Sequence, residues 1–195
     1  MKKTSLCAAL TLCASPAFAA DQPLTCHYDG HGDLTSSEAA PAGATVGSVE
    51  RNGWFGDGYI YVISAKDGSA CPGQVPLGTK TALTAPIVRQ PTLNCGTSAS
   101  AGDGAVLGGS VTVFHAPAKA IAVTVRMNGG TTPNTKYKFS VNCEHVLGSL
   151  QTDAQGNGDA RFSFVESEVG PSFALGLAAD EPAGNIFQSV PLTLK

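Results

Sequence analysis

Eight consecutive residues, CHYDGHGD at 26–33, combine two histidines and two aspartates with a cysteine and a tyrosine. Imidazole nitrogens and carboxylate oxygens are common protein ligands of zinc and copper, so His27 and His31 are candidate metal ligands. Two glycines argue for a loop rather than a helix. The further groups that would complete such a site are Asp29, Asp33 and His145. The alternative is a polar loop beside a disulfide, with aspartate and glycine in turns.

A second candidate site is the aromatic cluster in NGWFGDGYIYV at 52–62. Planar rings beside aspartate and asparagine stack on the apolar faces of sugars or peptides, and glycines let a ligand approach the backbone. The alternative is that these aromatic side chains fill a small core, where such residues are commonly buried. The candidate binding residues are Trp54, Phe55, Tyr59 and Tyr61.

The sequence offers little support for catalysis. It contains neither a G-x-S-x-G nucleophile elbow nor an H-E-x-x-H zinc motif. Two acidic pairs occur, Glu166 with Glu168 and Asp180 with Glu181, but such pairs are typical of solvated loops. A non-enzymatic protein without a cofactor is the expectation.

The segment DAQGNGDARFSF at 153–164 begins like an EF-hand calcium loop. Such a loop needs a bidentate carboxylate at its twelfth position, where this chain has Phe164. We therefore predict a hairpin turn, in which the glycines supply positive φ and a strand resumes afterwards.

The first 19 residues have the three parts of a bacterial secretory signal peptide. Lys2 and Lys3 make the start positive, residues 6–13 are apolar, and Ala17-Phe18-Ala19 fits the small-x-small cleavage rule. The apolar run is too short to span a bilayer. We expect cleavage after Ala19 and a periplasmic or secreted product.

Removal of Lys2 and Lys3 leaves ten basic and fifteen acidic residues, a net charge of −5. The acidic excess argues against nucleic-acid binding through phosphate contacts and against a polybasic membrane patch. No later segment is apolar enough to span a membrane. The expected partner is a protein or a glycan at the cell surface, and the oligomeric state is left open.

Four cysteines remain after the predicted cleavage, and an even number in an oxidising compartment predicts two disulfides. No two of them have the C-x-x-C spacing of a metal site. Three pairings are open, and we favour the one that keeps each disulfide within one half of the chain. That pairing is Cys26–Cys71 and Cys95–Cys143.

From residue 108 onward, apolar and polar residues alternate in SVTVFH, IAVTVRM, YKFSVNC, ARFSF, FALGL and VPLTL. This alternation predicts antiparallel strands with one buried and one solvated face. With LGSLQTD, about seven strands follow one another at the spacing of a β-sandwich. Pro191 predicts an edge or a bulge in the last strand. The polar positions expected on the solvated face include Ser110, Thr112, Thr124, Arg126 and Arg161.

The run TPNTKYKFSVNCEHVLGSLQTDAQGNGDARFSF resembles the middle strands of immunoglobulin-like or fibronectin-III-like domains of bacterial secreted proteins. The resemblance covers roughly residues 105–195 and implies a β-sandwich that serves as an adhesive, spacer or binding module. Cys143 stands in the central strand without the Cys-Trp-Cys spacing of antibody domains. The resemblance therefore transfers no functional residue, because fold alone does not define function.

The first half has shorter strand candidates, PLTCHY, ATVGSVE, GYIYVISA and PTLNC, and a small polar segment at 96–104 that is typical of a linker. We predict a signal peptide at 1–19, a β-rich region at 20–99 and an immunoglobulin-like sandwich at 100–195. The fold class is all-β: an antiparallel β-sandwich, immunoglobulin-like in the C-terminal half, preceded by a smaller disulfide-linked β region. One larger sandwich with strands from both halves is the alternative.

These observations favour a secreted or periplasmic binding module that recognises a protein or glycan partner. A metal-binding envelope protein that uses the His27 and His31 loop is the alternative from a different class. An extracellular hydrolase is a third, and it requires two acids that face each other across a cleft.

Overall fold

The structure is a computed structural model. It describes residues 23–45, 49–54, 59–64, 70–77, 83–92, 105–116, 119–179 and 185–194, with the backbone alone for 49–54 and 59–64. The predicted signal peptide, Phe55, Cys95 and the predicted linker at 96–104 lie outside the described residues.

The described chain is all-β, as the alternation predicts, and contains no α-helix within these ranges. In the same part of the chain, no helix is long and apolar enough to cross a membrane. A short 3-10 helix covers Glu166–Glu168. The strands are β1 (Leu24–Tyr28), β2 (Leu34–Ala39), β3 (Val49–Trp54), β4 (Tyr59–Ser64), β5 (Leu83–Gln90), β6 (Leu107–His115), β7 (Ala120–Asn128), β8 (Lys136–Val141), β9 (His145–Gln151), β10 (Asn157–Val165), β11 (Ser172–Phe173), β12 (Leu175–Ala179), β13 (Ile186–Ser189) and β14 (Leu192–Thr193).

The strands pair antiparallel in a four-stranded sheet, an eight-stranded sheet and a two-stranded ribbon. The strand orders are β2-β1-β4-β3, β10-β7-β6-β5-β13-β12-β8-β9 and β11-β14. Strand β5 precedes the predicted boundary at residue 99 and pairs with β6 and β13 in the larger sheet. The division into separate domains at 20–99 and 100–195 stays a prediction.

The larger core is built from the apolar positions that the alternation predicts. Burial of a large apolar side chain stabilises the fold by roughly 1.5–3 kcal/mol. Phe139 of β8 stacks on Phe162 of β10 with ring centroids 4.1 Å apart, although the two strands lie near opposite ends of the sheet order. The sheet therefore curls, and its edge strands β9 and β10 contact each other. Further buried members include Val111, Val113, Ile121, Val123, Val125, Tyr137, Phe164, Leu175 and Leu177.

The smaller core joins the four-stranded sheet to the outer surface of the larger one. Cys26 and Tyr28 of β1 are buried together with Val75 against the small side chains of β7 and its neighbours. The predicted disulfide Cys26–Cys71 is confirmed, with the Cα atoms 5.7 Å apart. Cys143 is also disulfide-bonded, and its pairing with Cys95 stays a prediction. The residues of β7 and its neighbours in this core are Ala116, Ala120, Ala122 and Val165.

The last predicted strand, VPLTL at 190–194, is shortened to β14, which begins just after Pro191. Strand β13 ends at Ser189 in the larger sheet, and β14 begins at Leu192 and pairs with β11 instead. Proline cannot donate a ladder hydrogen bond, so the chain changes sheets at this position. The structure thus has a change of sheet around Pro191, where the sequence predicts an edge or a bulge.

Candidate functional site

The stretch CHYDGHGD leaves β1 after Tyr28 and forms a tight loop, residues 29–33, which we call the docking loop. The Asp29 carboxylate accepts hydrogen bonds from the backbone N–H groups of His31 and Asp33 at 2.9 and 3.0 Å. This is the local use of aspartate expected in a turn. The Asp29 side chain therefore fixes the shape of the loop.

The docking loop binds the edge of β10. The carbonyl oxygen of Gly30 accepts a 2.8 Å hydrogen bond from the N–H of Ser163. His31 Nδ1 lies 3.0 Å from the carbonyl oxygen of Arg161, which can only accept, so Nδ1 carries the proton. The His31 ring also packs on Phe162, with centroids 4.8 Å apart. The loop thus provides partners for edge groups of β10 that burial would otherwise leave unsatisfied.

Two glycines make this docking sterically possible. A Cβ atom at Gly32 would lie 2.6 Å from Ser163 Oγ, and one at Gly148 would lie 2.6 Å from His31 Nε2. Gly32 belongs to the loop and Gly148 to β9. The loop therefore fits closely between the two edge strands of the larger sheet.

The other candidate metal ligands have separate contacts. His27 Nε2 lies 3.3 Å from Glu38 Oε1 across β1 and β2, and Asp33 accepts a 2.6 Å hydrogen bond from Gln74. His145 begins β9. Among the described residues, no three or more His, Cys, Asp or Glu side chains are grouped to hold a metal ion. The structure gives these side chains roles within the protein, and the metal site stays a prediction.

Three of the four predicted aromatic binding residues lie on paired strands. Trp54 of β3 is the register partner of Tyr59 of β4, and Arg51 is the partner of Tyr61. Strand β4 also contacts β10. Phe55 lies outside the described residues. The backbone thus brings Trp54 and Tyr59 together, and their role in binding stays a prediction.

A groove of about 510 Å³ lies on the face of β6, β7 and β10 that points away from the larger core. We call it the outer groove. The strand register arranges its polar side chains in two rows, each with one residue from each strand. The first row is Ser110, Arg126 and Asp159, and the second is Thr112, Thr124 and Arg161.

The alternation of the sequence explains why these side chains face outward. Val111 and Val113 of β6 lie in the core, so Ser110 and Thr112 between them take the opposite face. Thr124 follows the same rule in β7. At one end of the groove, Phe114 packs against the smaller core and is partly buried.

The groove contains one exposed charge pair. Arg126 Nε donates to Asp159 Oδ1 at 3.1 Å, and the two side chains are 76% and 72% exposed. Both charges are therefore accessible to a ligand. Their mutual attraction is weak because water surrounds them.

The Arg161 side chain is hydrogen-bonded to a residue of the N-terminal half of the chain, Gln74. Its Nη1 donates to Gln74 Oε1 at 3.0 Å, and Gln74 Nε2 donates to Asp33. The segment of Gln74 is attached to β1 through the Cys26–Cys71 disulfide. The smaller sheet and its disulfide therefore position one wall of the outer groove.

Shifted pKa values occur at Asp153 and Tyr28. Backbone N–H groups of Asn157 and Gln155 donate to the Asp153 carboxylate, and these hydrogen bonds, led by that of Asn157, lower its pKa. Asp153 closes the tight turn between β9 and β10 that the sequence predicts. Burial raises the pKa of Tyr28, whose hydroxyl donates to the carbonyl oxygen of Pro72 at 3.0 Å.

Sequence reasoning missed the outer groove as a site. It assigned Thr124 and Arg126 to a solvated face, but the groove exists because β10 pairs with β7 and brings Asp159 beside Arg126. The matching alternation of IAVTVRM and ARFSF was the sequence signal that could have predicted a shared polar face on these two strands.

The described lining of the outer groove offers a polar ligand hydroxyl groups, two guanidinium groups and one carboxylate. Its only described carboxylate is Asp159. Neither a family model nor a curated protein nor a solved structure matches this chain.

Proposed function

We propose that this protein is a secreted or periplasmic, non-enzymatic module that binds a protein or glycan partner at the cell surface through the outer groove. The observation that carries the proposal is the register of β6, β7 and β10, which directs two rows of hydrogen-bonding side chains into one groove. Its volume of about 510 Å³ falls in the range of roughly 300–1,000 Å³ of small-ligand sites.

The groove chemistry supports binding rather than hydrolysis. A glycosidase uses two carboxyl groups on opposite sides of the scissile bond. Among the described lining residues, Asp159 is the single carboxylate, and it is engaged with Arg126. Hydroxyl groups and a charge pair on a rigid sheet are suited to holding a ligand without transforming it.

The proposal also includes the aromatic residues of β3 and β4 that the sequence predicts to bind. Strand β4 contacts β10, which supplies Asp159 and Arg161 to the groove. Trp54 and Tyr59 lie opposite each other in the register of the neighbouring strand pair. A long partner could therefore engage the groove and these aromatic residues together.

The proposal includes an immunoglobulin-like β-sandwich as the scaffold. The stacking of Phe139 on Phe162 supports two facing layers, because these rings belong to distant strands of one sheet. The resemblance of the segment 132–164 to immunoglobulin-like domains supports the same interpretation.

The test uses the mature protein from residue 20, fluorescently labelled, and intact cells of the producing organism. Thr112→Tyr places a bulky side chain in the middle of the groove. Thr193→Tyr places the same side chain at the exposed position of β14 and is the matched control. Circular dichroism confirms that both variants are folded.

We expect Thr112→Tyr to weaken cell-surface binding at least tenfold, whereas Thr193→Tyr binds like the wild type. Equal binding by all three proteins would show that the groove does not carry the function. No binding by the wild-type protein would remove the proposed cell-surface role.

A further inference from the structure

We propose that the ligand of the outer groove is an uncharged saccharide, gripped through a pair of adjacent hydroxyl groups by Arg126 and Asp159. This inference rests on the proposed function and specifies its ligand. It follows from the balance of charge in the groove, the donors and acceptors that line it, and the aromatic ring at its end.

The two largely exposed charges of the groove, those of Arg126 and Asp159, balance each other. Arg126 and Asp159 are register partners, 3.1 Å apart and both largely exposed. The Asp159 carboxylate would repel an anionic ligand that approached Arg126. In the same way, Arg126 would repel a cationic ligand that approached Asp159. A ligand without net charge can contact both side chains at no such cost.

Arg161 does not present a further cation of the same kind. Its Nη1 donates to Gln74, and its Nε and Nη2 atoms are buried. Arg161 is thus less exposed than Arg126 and forms a wall of the groove. The largely exposed charges among the described lining residues are those of Arg126 and Asp159.

A diol matches the Arg126–Asp159 pair. A carboxylate only accepts hydrogen bonds and a guanidinium only donates them, whereas a ligand hydroxyl does both. One hydroxyl can donate to Asp159 while its neighbour accepts from Arg126. Hydrogen bonds to charged groups are stronger than those between neutral groups, so this pair would provide the main polar contact.

The hydroxyl-bearing residues supply further contacts of the same type. Ser110, Thr112 and Thr124 lie beside the charge pair in the two rows, and each hydroxyl can donate or accept. Thr112 is itself positioned by Thr84, whose hydroxyl oxygen lies 3.1 Å away. Adaptable donors and acceptors suit a ligand that carries a hydroxyl on most of its carbon atoms.

Phe114 adds an apolar surface at the end of the groove. Its ring packs against the smaller core on one side and remains partly exposed. A sugar ring has an apolar face of C–H groups that packs on an aromatic plane. The groove therefore combines polar contacts along its length with one aromatic contact, as saccharide binding requires.

The test is affinity gel electrophoresis of the mature protein in native gels that contain a dissolved polysaccharide. The neutral probes are a soluble β-glucan, a mannan and a galactan, and the anionic probe is alginate. The variants are Asp159→Asn and Arg126→Gln. Glu38→Gln, which removes an exposed carboxylate on β2 that pairs with His27, is the matched control.

We expect at least one neutral polysaccharide to retard the wild type. Asp159→Asn and Arg126→Gln should each raise the dissociation constant tenfold or more, and Glu38→Gln should leave it unchanged. The retardation should persist when the salt concentration is raised, because the ligand has no charge to screen.

Three results would overturn the inference: retardation by alginate alone, neutral binding that survives both groove variants, or no retardation by any neutral probe. The cell-surface experiment separates this failure from failure of the proposed function. If cell binding still depends on Thr112, the groove binds a ligand of another class. If it does not, the proposed function fails as well.

Discussion

Gly32 illustrates how a single residue determines whether the docking loop fits. Its φ is +79°, and a Cβ atom there would lie 2.6 Å from the buried Ser163 Oγ. Gly43 has a similar φ of +86° but no atom within 4 Å of a Cβ. Substitution of each glycine therefore distinguishes the cost of backbone strain, present at both positions, from the cost of a steric clash, present at Gly32 alone.

We predict that Gly43→Ala lowers the free energy of unfolding by about 1 kcal/mol through its left-handed backbone. Gly32→Ala should lower it by about 2–4 kcal/mol, because overpacking adds to the same strain. Urea denaturation of both variants measures the difference. Equal losses would contradict the close docking of the loop on β10.

His31 and His27 should differ in their contribution to stability. Replacement of His31 by alanine leaves the Arg161 carbonyl oxygen without this partner and removes the contact with Phe162. We predict a loss of about 1–3 kcal/mol. His27→Ala removes a 3.3 Å contact with Glu38, whose side chain is 68% exposed, so the loss of this contact should cost less than about 1 kcal/mol.

Thermal or urea unfolding of the two histidine variants provides the comparison, and zinc titration of both tests the metal hypothesis. A shared metal site would make the variants similar, with tight zinc binding lost in each. A large stability loss in His31→Ala alone, without a change in zinc binding, is the result that the docking loop predicts.

Asp153 gives stability a defined dependence on pH. Its folded pKa is lower than the ordinary value of 3.8 because backbone N–H groups donate to the carboxylate. The unfolded state therefore binds more protons in acid, and the stabilisation is present above that value and lost as the pH falls through the folded pKa. Asp153→Asn, which cannot ionise, should be less stable than the wild type near neutral pH.

Melting temperatures of the wild type and Asp153→Asn at about pH 7 and about pH 2 measure this effect. The difference between the two proteins should shrink in acid. A difference that is as large in acid as at neutral pH would mean that the charge of Asp153 is not its source.

At the scale of elements, the Cys26–Cys71 disulfide secures the smaller sheet to the segment that holds Arg161. It links residues 45 apart in the chain, and loss of such a crosslink costs about 4 kcal/mol in the chain-entropy account. We predict that the Cys26→Ser/Cys71→Ser variant loses about 2–4 kcal/mol. Hydrogen exchange should accelerate in 23–39, in 70–77 and at Ser163.

Amides of β8 should keep their protection in this variant, since that strand lies within the larger core. Uniform acceleration through the whole chain would contradict a local role of the disulfide. Unchanged exchange at Ser163 would show that the docking loop does not depend on it.

The strands that sequence patterns predict are those with one buried and one solvated face. Alternation identified β6, β7, β8 and β10, but β2, β5 and β13 were missed. Strand β2 reads LTSSEA and is exposed on both faces, so it has no apolar period. Strand β5 contains Pro86, and its ladder shifts register after Ile87, which interrupts the alternation.

At the scale of the whole molecule, sequence patterns predicted the faces of strands but not their neighbours. A period of two determines which side chains are buried, whereas the pairing of β10 with β7 depends on long-range packing. Sequence patterns identified His31 as a chemically distinctive residue but could not predict its structural role. Its partner, the Arg161 carbonyl oxygen, lies 130 residues away.

The predicted export and the fold are together consistent with the Cys26–Cys71 disulfide. An oxidising compartment preserves the disulfide, the disulfide holds the smaller sheet, and that sheet supports Arg161 beside the outer groove. The central claim is that this groove is where the protein meets its ligand.

The most direct test of that claim is NMR mapping of the ¹⁵N-labelled mature protein during titration with a soluble envelope polysaccharide extract of the producing organism. We predict chemical-shift changes concentrated on the amides of β6, β7 and β10, among them Thr112, Thr124 and Asp159. Changes confined to other surfaces would contradict the assignment of the outer groove as the binding site, and no changes at all would contradict a polysaccharide ligand.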